Sequence, residues 1–183
     1  MRIHKNLLLG FMLVLTLAAT GLTLTAQEMP PRGDDADRPS KNGRTEGTID
    51  GTNIVVTYGR PNVKGRAVWG GLVPNGQVWR AGANEATVIS FSTDVQIEGE
   101  KLSAGVYGFF AIPGEGEWTV IFNKTAKQWG HFSYDASQDA LRVTVKPRAN
   151  DENVESLDYV IEGDTVAIRW EKLAIPFQVA TAK

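Results

Sequence analysis

From about residue 50 onward, apolar and polar positions alternate with a period of two in one run after another. Leu141, Val143 and Val145 are interleaved with Arg142, Thr144 and Lys146. Val166, Ile168 and Trp170 repeat the pattern, and so do Ile175, Phe177 and Val179. Successive side chains of a strand point to opposite faces, so this spacing predicts strands with one buried and one wet face. Residues 54–58 (IVVTY) and 87–91 (TVISF) are short β-branched and aromatic runs and predict strands as well. Turn chemistry separates the runs at Asp50-Gly51, at Pro113-Gly114 with Gly116, and at Glu162-Gly163-Asp164. Residues 104–110 and 117–123 read as the two arms of one hairpin. No stretch carries three turns of an amphipathic helix, and no internal repeat is visible. The expectation is a single all-β domain, an antiparallel β-sandwich or flattened barrel of about eight to ten strands.

The N-terminal portion breaks this pattern. Arg2 and Lys5 precede an apolar stretch from residue 7 to 24, with small residues after it. That order is the one read by the secretory machinery, and it predicts a cleaved secretion signal over residues 1–26. A membrane anchor would need about 20 strongly apolar residues, whereas this run is diluted by Thr16, Thr20 and Thr23. Residues 27–45 follow with three prolines, mixed charge and Met29 as their one large apolar side chain. This composition buries too little surface to offset its ordering entropy and predicts a disordered spacer. The domain is then expected over residues 46–183.

Composition narrows the function. The chain has no cysteine, which excludes lipid modification at an N-terminal cysteine, disulfide staples and thiolate metal sites. An exported protein, periplasmic or extracellular and not a lipoprotein, is expected. Loss of the signal takes Arg2 and Lys5 with it and moves the formal charge from −2 to −4. A mildly acidic domain argues against general nucleic-acid binding, which needs a basic surface to displace counterions.

Residues 59–84 (GRPNVKGRAVWGGLVPNGQVWRAGAN) read neither as strand nor as ordinary loop. The segment is long for a connection, yet Val68, Trp69, Leu72, Val73, Val78 and Trp79 give it apolar anchors. It carries Arg60, Lys64, Arg66 and Arg80, and no Asp or Glu occurs between Gly51 and Asn84. Arg and Trp offer large rigid contact surfaces and directional donors. One reading is a cationic, Trp-containing pocket for an anionic or hydroxyl-rich ligand, formed by Arg60, Lys64, Arg66, Trp69, Trp79, Arg80, Asn84 and Glu85. The competing reading is structural: Trp69 and Trp79 plug an open end of the sandwich, while the arginines pair with acids such as Glu85 or Asp139.

Residues 58–87 (YGRPNVKGRAVWGGLVPNGQVWRAGANEAT), followed by Leu102-Ser103-Ala104-Gly105-Val106-Tyr107 and Ile112-Pro113, resemble an exported bacterial family catalogued as domain of unknown function 2911. The similarity continues through Trp118, Asn123, Trp129-Gly130, Tyr134, Leu141-Arg142-Val143 and Trp170-Glu171. The resemblance implies a β-rich exported or envelope protein and carries no activity with it.

Candidate chemistry is sparse. Of the two histidines, His4 lies in the expected signal, which leaves His131 alone and rules out a three-histidine zinc site in the mature chain. His131 is a candidate general base and Glu85 a candidate general acid or base, with Arg66 or Arg80 stabilising developing charge. An arginine beside Glu85 would lower its pKa, which suits a salt bridge better than a general acid. No Gly-x-Ser-x-Gly elbow is present, and neither Asp34-Asp35 nor Asp151-Glu152 has calcium-loop spacing. No metal or cofactor is expected. The leading expectation is therefore a non-enzymatic binding module for a small molecule, glycan or envelope component. The alternatives are a hydrolase or isomerase using Glu85 or His131, and a purely structural envelope protein.

Overall fold

The alternating runs all become strands, and they divide between two sheets. The computed structural model describes residues 28–182, so the expected signal over residues 1–26 lies outside the described residues. The strands are β1 (Lys41–Ile49), β2 (Thr52–Arg60), β3 (Thr87–Phe91), β4 (Val95–Ile97), β5 (Glu100–Leu102), β6 (Gly105–Ile112), β7 (Trp118–Asn123), β8 (Asp139–Val145), β9 (Arg148–Glu162) and β10 (Thr165–Thr181). One sheet runs β1-β2-β3-β6-β7-β8 and the other β5-β4-β10-β9. Every strand pairing is antiparallel. β1 and β8 end the larger sheet without pairing to each other, so the architecture is a sandwich and not a closed barrel.

The longest strand ties the smaller sheet together. The first part of β10 pairs with β9 across the Gly163 turn, and its last residues pair with β4. Register shifts fall between Arg169 and Leu173, where Glu171 takes a positive φ of 55°. Such bulges bend a strand and sharpen its twist, which lets one strand serve two neighbours.

Between the sheets lies the principal core. Ile54, Val56, Ile89, Phe109, Val120 and Phe122 from the larger sheet meet Leu157, Ile168, Ile175 and Phe177 from the smaller. The outer face of the larger sheet is covered too. Phe110 and Ile121, next in sequence to Phe109 and Phe122, point away from the main core and form a second cluster with Ala86, Val78, Ile112 and Tyr134. Two irregular segments, residues 78–86 and 126–134, thus lie over β6 and β7, and the candidate site is built where they meet.

The structure departs from expectation at the N-terminal boundary. β1 begins at Lys41, inside the stretch read as spacer, because Lys41 to Arg44 extend the β1–β2 ladder to its end opposite Arg60 to Thr57. Ladder hydrogen bonds do not depend on side-chain hydrophobicity, so composition missed them. The long insert after β2 is ordered as expected. It is pinned by isolated bridges at Asn62–Ser156, Trp69–Val73, Trp79–Ala111 and Glu85–Trp129.

Where the insert returns to the sheet, the backbone of Ala83 presses on β2. A Cβ placed on Gly59 would lie 2.1 Å from the Ala83 carbonyl oxygen, a separation that only backbone movement can relieve. Gly59→Ala should therefore destabilise the fold by about 1–3 kcal/mol, read as a fall in the urea midpoint with an unchanged slope.

Candidate functional site

Four indoles anchor the insert. Trp69 and Trp79 of the insert, Trp118 of β7 and Trp170 of β10 pack with ring centroids 5.1 to 6.5 Å apart. Trp79 stacks on Trp170 at an interplanar angle of 16°, and the other contacts are edge-on. These geometries suit the aromatic quadrupole. Trp79 also exchanges both backbone hydrogen bonds with Ala111 of β6, at 2.8 and 2.9 Å.

Fixing Trp79 fixes its neighbour Arg80. The chain then turns through Ala81 and Asn84, both at positive φ (48° and 63°). Side chains rarely adopt this conformation unless their surroundings hold it. Here the Ala81 carbonyl accepts hydrogen bonds from the Tyr159 hydroxyl at 2.7 Å and the Thr87 hydroxyl at 3.0 Å. Asn84 donates from its side chain to the Ser40 carbonyl at 3.0 Å.

Arg80 faces the second covering segment. A Cβ on Gly130 would sit 2.7 Å from Arg80 Nη1, so the guanidinium lies against this turn, whose φ of 64° favours glycine. Arg80 and His131 share a cleft of about 180 Å³ with Leu72, Val73, Trp79 and Trp170. Arg80 takes part in no ion pair among the described residues. Among the described residues its guanidinium makes one hydrogen bond, a 3.3 Å contact from Nη1 to the Asn84 carbonyl. Burial pulls its guanidinium below the ordinary value, with no carboxylate to offset the effect. Burial also lowers the His131 imidazole below 6.5, and the Arg80 charge lowers it further, which leaves the ring neutral near pH 7. Three cleft residues hold a buried polar atom without a partner: Arg80 Nε, His131 Nδ1 and Trp170 Nε1. Trp69 Nε1, next to Trp170 in the indole cluster, is a fourth. Buried polar groups are normally satisfied, so a concentration of exceptions beside one cleft points to ligand or water partners there.

Glu85 plays a different part. Its carboxylate receives both contacts from Arg38 Nη1 at 2.9 Å and lies 3.2 Å from Arg32 Nη2. The side chain of Arg32 is only 8 % exposed and also donates to Asn42 Oδ1 and to the carbonyls of Ala83, Glu85 and Ala86. Both arginines come from the segment expected to be a spacer, so that segment is part of the site's framework. Burial alone would raise the Glu85 pKa. Hydrogen bonds from its own backbone, Arg38 and Gly33, with the charge of Arg32, outweigh burial and hold it below its ordinary value. A carboxyl kept ionised in this way has the character of a counterion, not of a general acid.

The remaining expected site residues disperse. Arg60 Nε donates to the Leu157 carbonyl at 3.3 Å. Arg66 is exposed and curls onto the carbonyls of Val63 and Asn62. Lys64 is exposed in a turn, where its backbone N–H donates to Glu155. Asp139 pairs with Arg142, not with an arginine of the insert. Of the expected set, Trp79 and Arg80 line the cleft, Trp69 braces it from the indole cluster, and Asn84 accepts from Arg80 through its carbonyl. Sequence reasoning missed Leu72, Trp129 and Phe132 as surface features. They are 43 %, 54 % and 75 % exposed; Leu72 lines the cleft with His131, Phe132 stacks on His131, and Trp129, two residues before His131, lies under the Arg38 guanidinium. The available signal was two aromatics in an otherwise polar stretch after Lys127. Among the described residues no cluster of three or more His, Cys, Asp or Glu could hold a metal ion, and no helix is long and apolar enough to cross a membrane.

Residues 40–179 match the family model described as protein of unknown function, DUF2911, and the chain belongs to that family. No curated protein and no solved structure matches the chain.

The lowered Glu85 pKa fixes the sign of a pH effect. Its stabilisation is full above the ordinary value of 4.5 and is lost as the pH falls through the lower folded value. Glu85→Gln should cost about 1–3 kcal/mol at neutral pH, because Arg32 loses its charge partner. The gap from the unaltered protein should shrink at about pH 3, as followed by urea unfolding at both pH values. An undiminished gap at low pH would assign the loss to packing instead of charge.

Proposed function

We propose that the chain is an exported binding module whose site is the Arg80–His131 cleft, and that its ligand presents a carboxylate or similar anionic group on a ring or other apolar body. The carrying observation is the setting of Arg80: a half-buried cation with no acid partner among the described residues, lining one cleft with Trp79, Trp170 and His131. A guanidinium left in that state loses hydration without compensation. An incoming carboxylate restores the lost partner through charge-assisted hydrogen bonds. The apolar walls of Leu72, Val73, Trp79 and Trp170 suit the body of such a ligand. Export is supported by the N-terminal order of charge and hydrophobicity over residues 1–26.

His131 gives this reading a pH signature. Burial is the larger cause of the lowered His131 pKa; an anion beside Arg80 cancels the smaller one, the Arg80 charge, and binding is expected to take up a proton on that account. A ligand carboxyl with a pKa of about 4 stays ionised through this range. Affinity for ring carboxylates such as benzoate, pyroglutamate and galacturonate should therefore rise as the pH falls from about 7 to about 5.5. Titration calorimetry should show that Arg80→Gln weakens binding at least about tenfold and that His131→Gln abolishes the pH dependence. If no ring carboxylate binds in an Arg80-dependent manner, the reading fails.

A further inference from the structure

Beside the Arg80 cleft lies a second, larger groove of about 370 Å³. Pro31, Ala86, Val88, Ala126 and Trp129 line it, together with the ion-paired Arg32 and Glu85. Its free polar groups are Lys127, which is exposed and in no ion pair among the described residues, and the Gln128 side-chain oxygen. Gln128 donates from Nε2 to the Thr125 carbonyl at 2.7 Å, which leaves Oε1 buried and without a donor. The two recesses are neighbours. Gln128 lines one and His131 the other, and three residues span no more than about 11 Å of chain.

We infer, building on the reading of the Arg80 cleft as a carboxylate site, that the natural ligand is an acidic oligosaccharide laid along residues 127–132, with one carboxylate at Arg80 and further rings running across Trp129 towards Lys127. Three observations carry this.

The charges come first. Arg80 lines one recess and Lys127 the other, neither in an ion pair among the described residues, while Arg32 and Arg38 are consumed by Glu85. Two cations in separate recesses suit a ligand with spaced negative charges better than one with a charge at every step. Nucleic acid is the latter kind and also needs a basic surface.

The surfaces come second. Trp129 and Phe132 are 54 % and 75 % exposed, and each ring has one face occupied and the other side towards solvent. Phe132 is stacked on His131 with centroids 4.8 Å apart, and Arg38 lies 5.6 Å from the Trp129 ring centroid. A sugar ring offers an apolar C–H face to the uncovered side of such rings, and hydroxyl oxygens at its rim can accept from the exposed Lys127 ammonium.

The backbone comes third. The strip is already paired to the insert, through the Ala86 N–H donating to the Gln128 carbonyl at 3.1 Å and the Glu85–Trp129 bridge. That edge is therefore closed to an extended peptide, and the strip meets a ligand through its side chains.

The test is calorimetric titration of the mature protein with galacturonate oligomers of one to four rings, and with neutral cello-oligosaccharides of equal length. Affinity should increase at least about tenfold between the monomer and the longer acidic chains, and the neutral chains should bind at least about tenfold more weakly. Trp129→Ala and Lys127→Gln should each remove the gain from chain length while leaving monomer affinity and the melting temperature in place. Oligomers no tighter than the monomer, a gain that survives Trp129→Ala, or equal binding of the neutral chains would each overturn the oligosaccharide assignment. Arg80-dependent binding of the monomer in those cases would leave the carboxylate cleft standing. Absence of Arg80-dependent binding to any ring carboxylate would remove both.

Discussion

The indole cluster of Trp69, Trp79, Trp118 and Trp170 is the interaction on which the rest of the structure turns. Two of its members belong to a segment without regular strand, one to each of the two sheets, so it joins three parts of the molecule at a single place. Burying an aromatic ring contributes on the order of 3–5 kcal/mol, as judged by the cost of truncation. Several such rings offset part of the ordering entropy of a loop of this length. The insert is consequently part of the core and not an appendage. Because Trp79 is fixed, Arg80 is fixed. Because Tyr159 and Thr87 hold the Ala81 carbonyl, the turn that follows keeps its unfavourable backbone angles.

The cations of this region meet opposite fates, and the contrast is what separates framework from site. Arg32 is nearly enclosed and spends its donors on a carboxylate and on the carbonyls of residues 83, 85 and 86, so it ties the N-terminal segment to the end of the insert. The Arg80 guanidinium is also substantially buried but has, among the described residues, one long hydrogen bond and no acid. Stability alone does not account for the second arrangement, since an unpaired desolvated charge is unfavourable. Polar atoms left without partners on His131 and Trp170 beside the same cleft extend the pattern.

Much of the fold was legible in the sequence, and for a definite reason. Alternation in β8 and β10 reports a sheet with one face on the core, and Asp50-Gly51 and Gly163 mark the turns. The choice between sandwich and barrel was not legible, because it depends on whether β1 meets β8, a contact that no local pattern encodes. The insert stood out through its tryptophans and its lack of acids, and Trp79 and Arg80 were found that way. Which arginine would be free was hidden. The counterions of Glu85 proved to be Arg32 and Arg38, from a stretch whose average composition reads as spacer. Composition reports the mean tendency of a segment and is blind to one guanidinium that finds four backbone and side-chain acceptors. Arg60 and Arg66 were indistinguishable from Arg80 by residue type, yet backbone carbonyls engage them elsewhere.

The central claim is that Arg80 is kept for a ligand and not for the fold. The most direct measurement is the unfolding free energy of Arg80→Met, in which an apolar chain of similar length fills the same space without the charge. The account predicts an unchanged or higher urea midpoint, because the substitution removes an uncompensated buried cation. A loss of more than about 1 kcal/mol would show that the guanidinium holds the structure together, and would contradict the assignment of this cleft as a binding site.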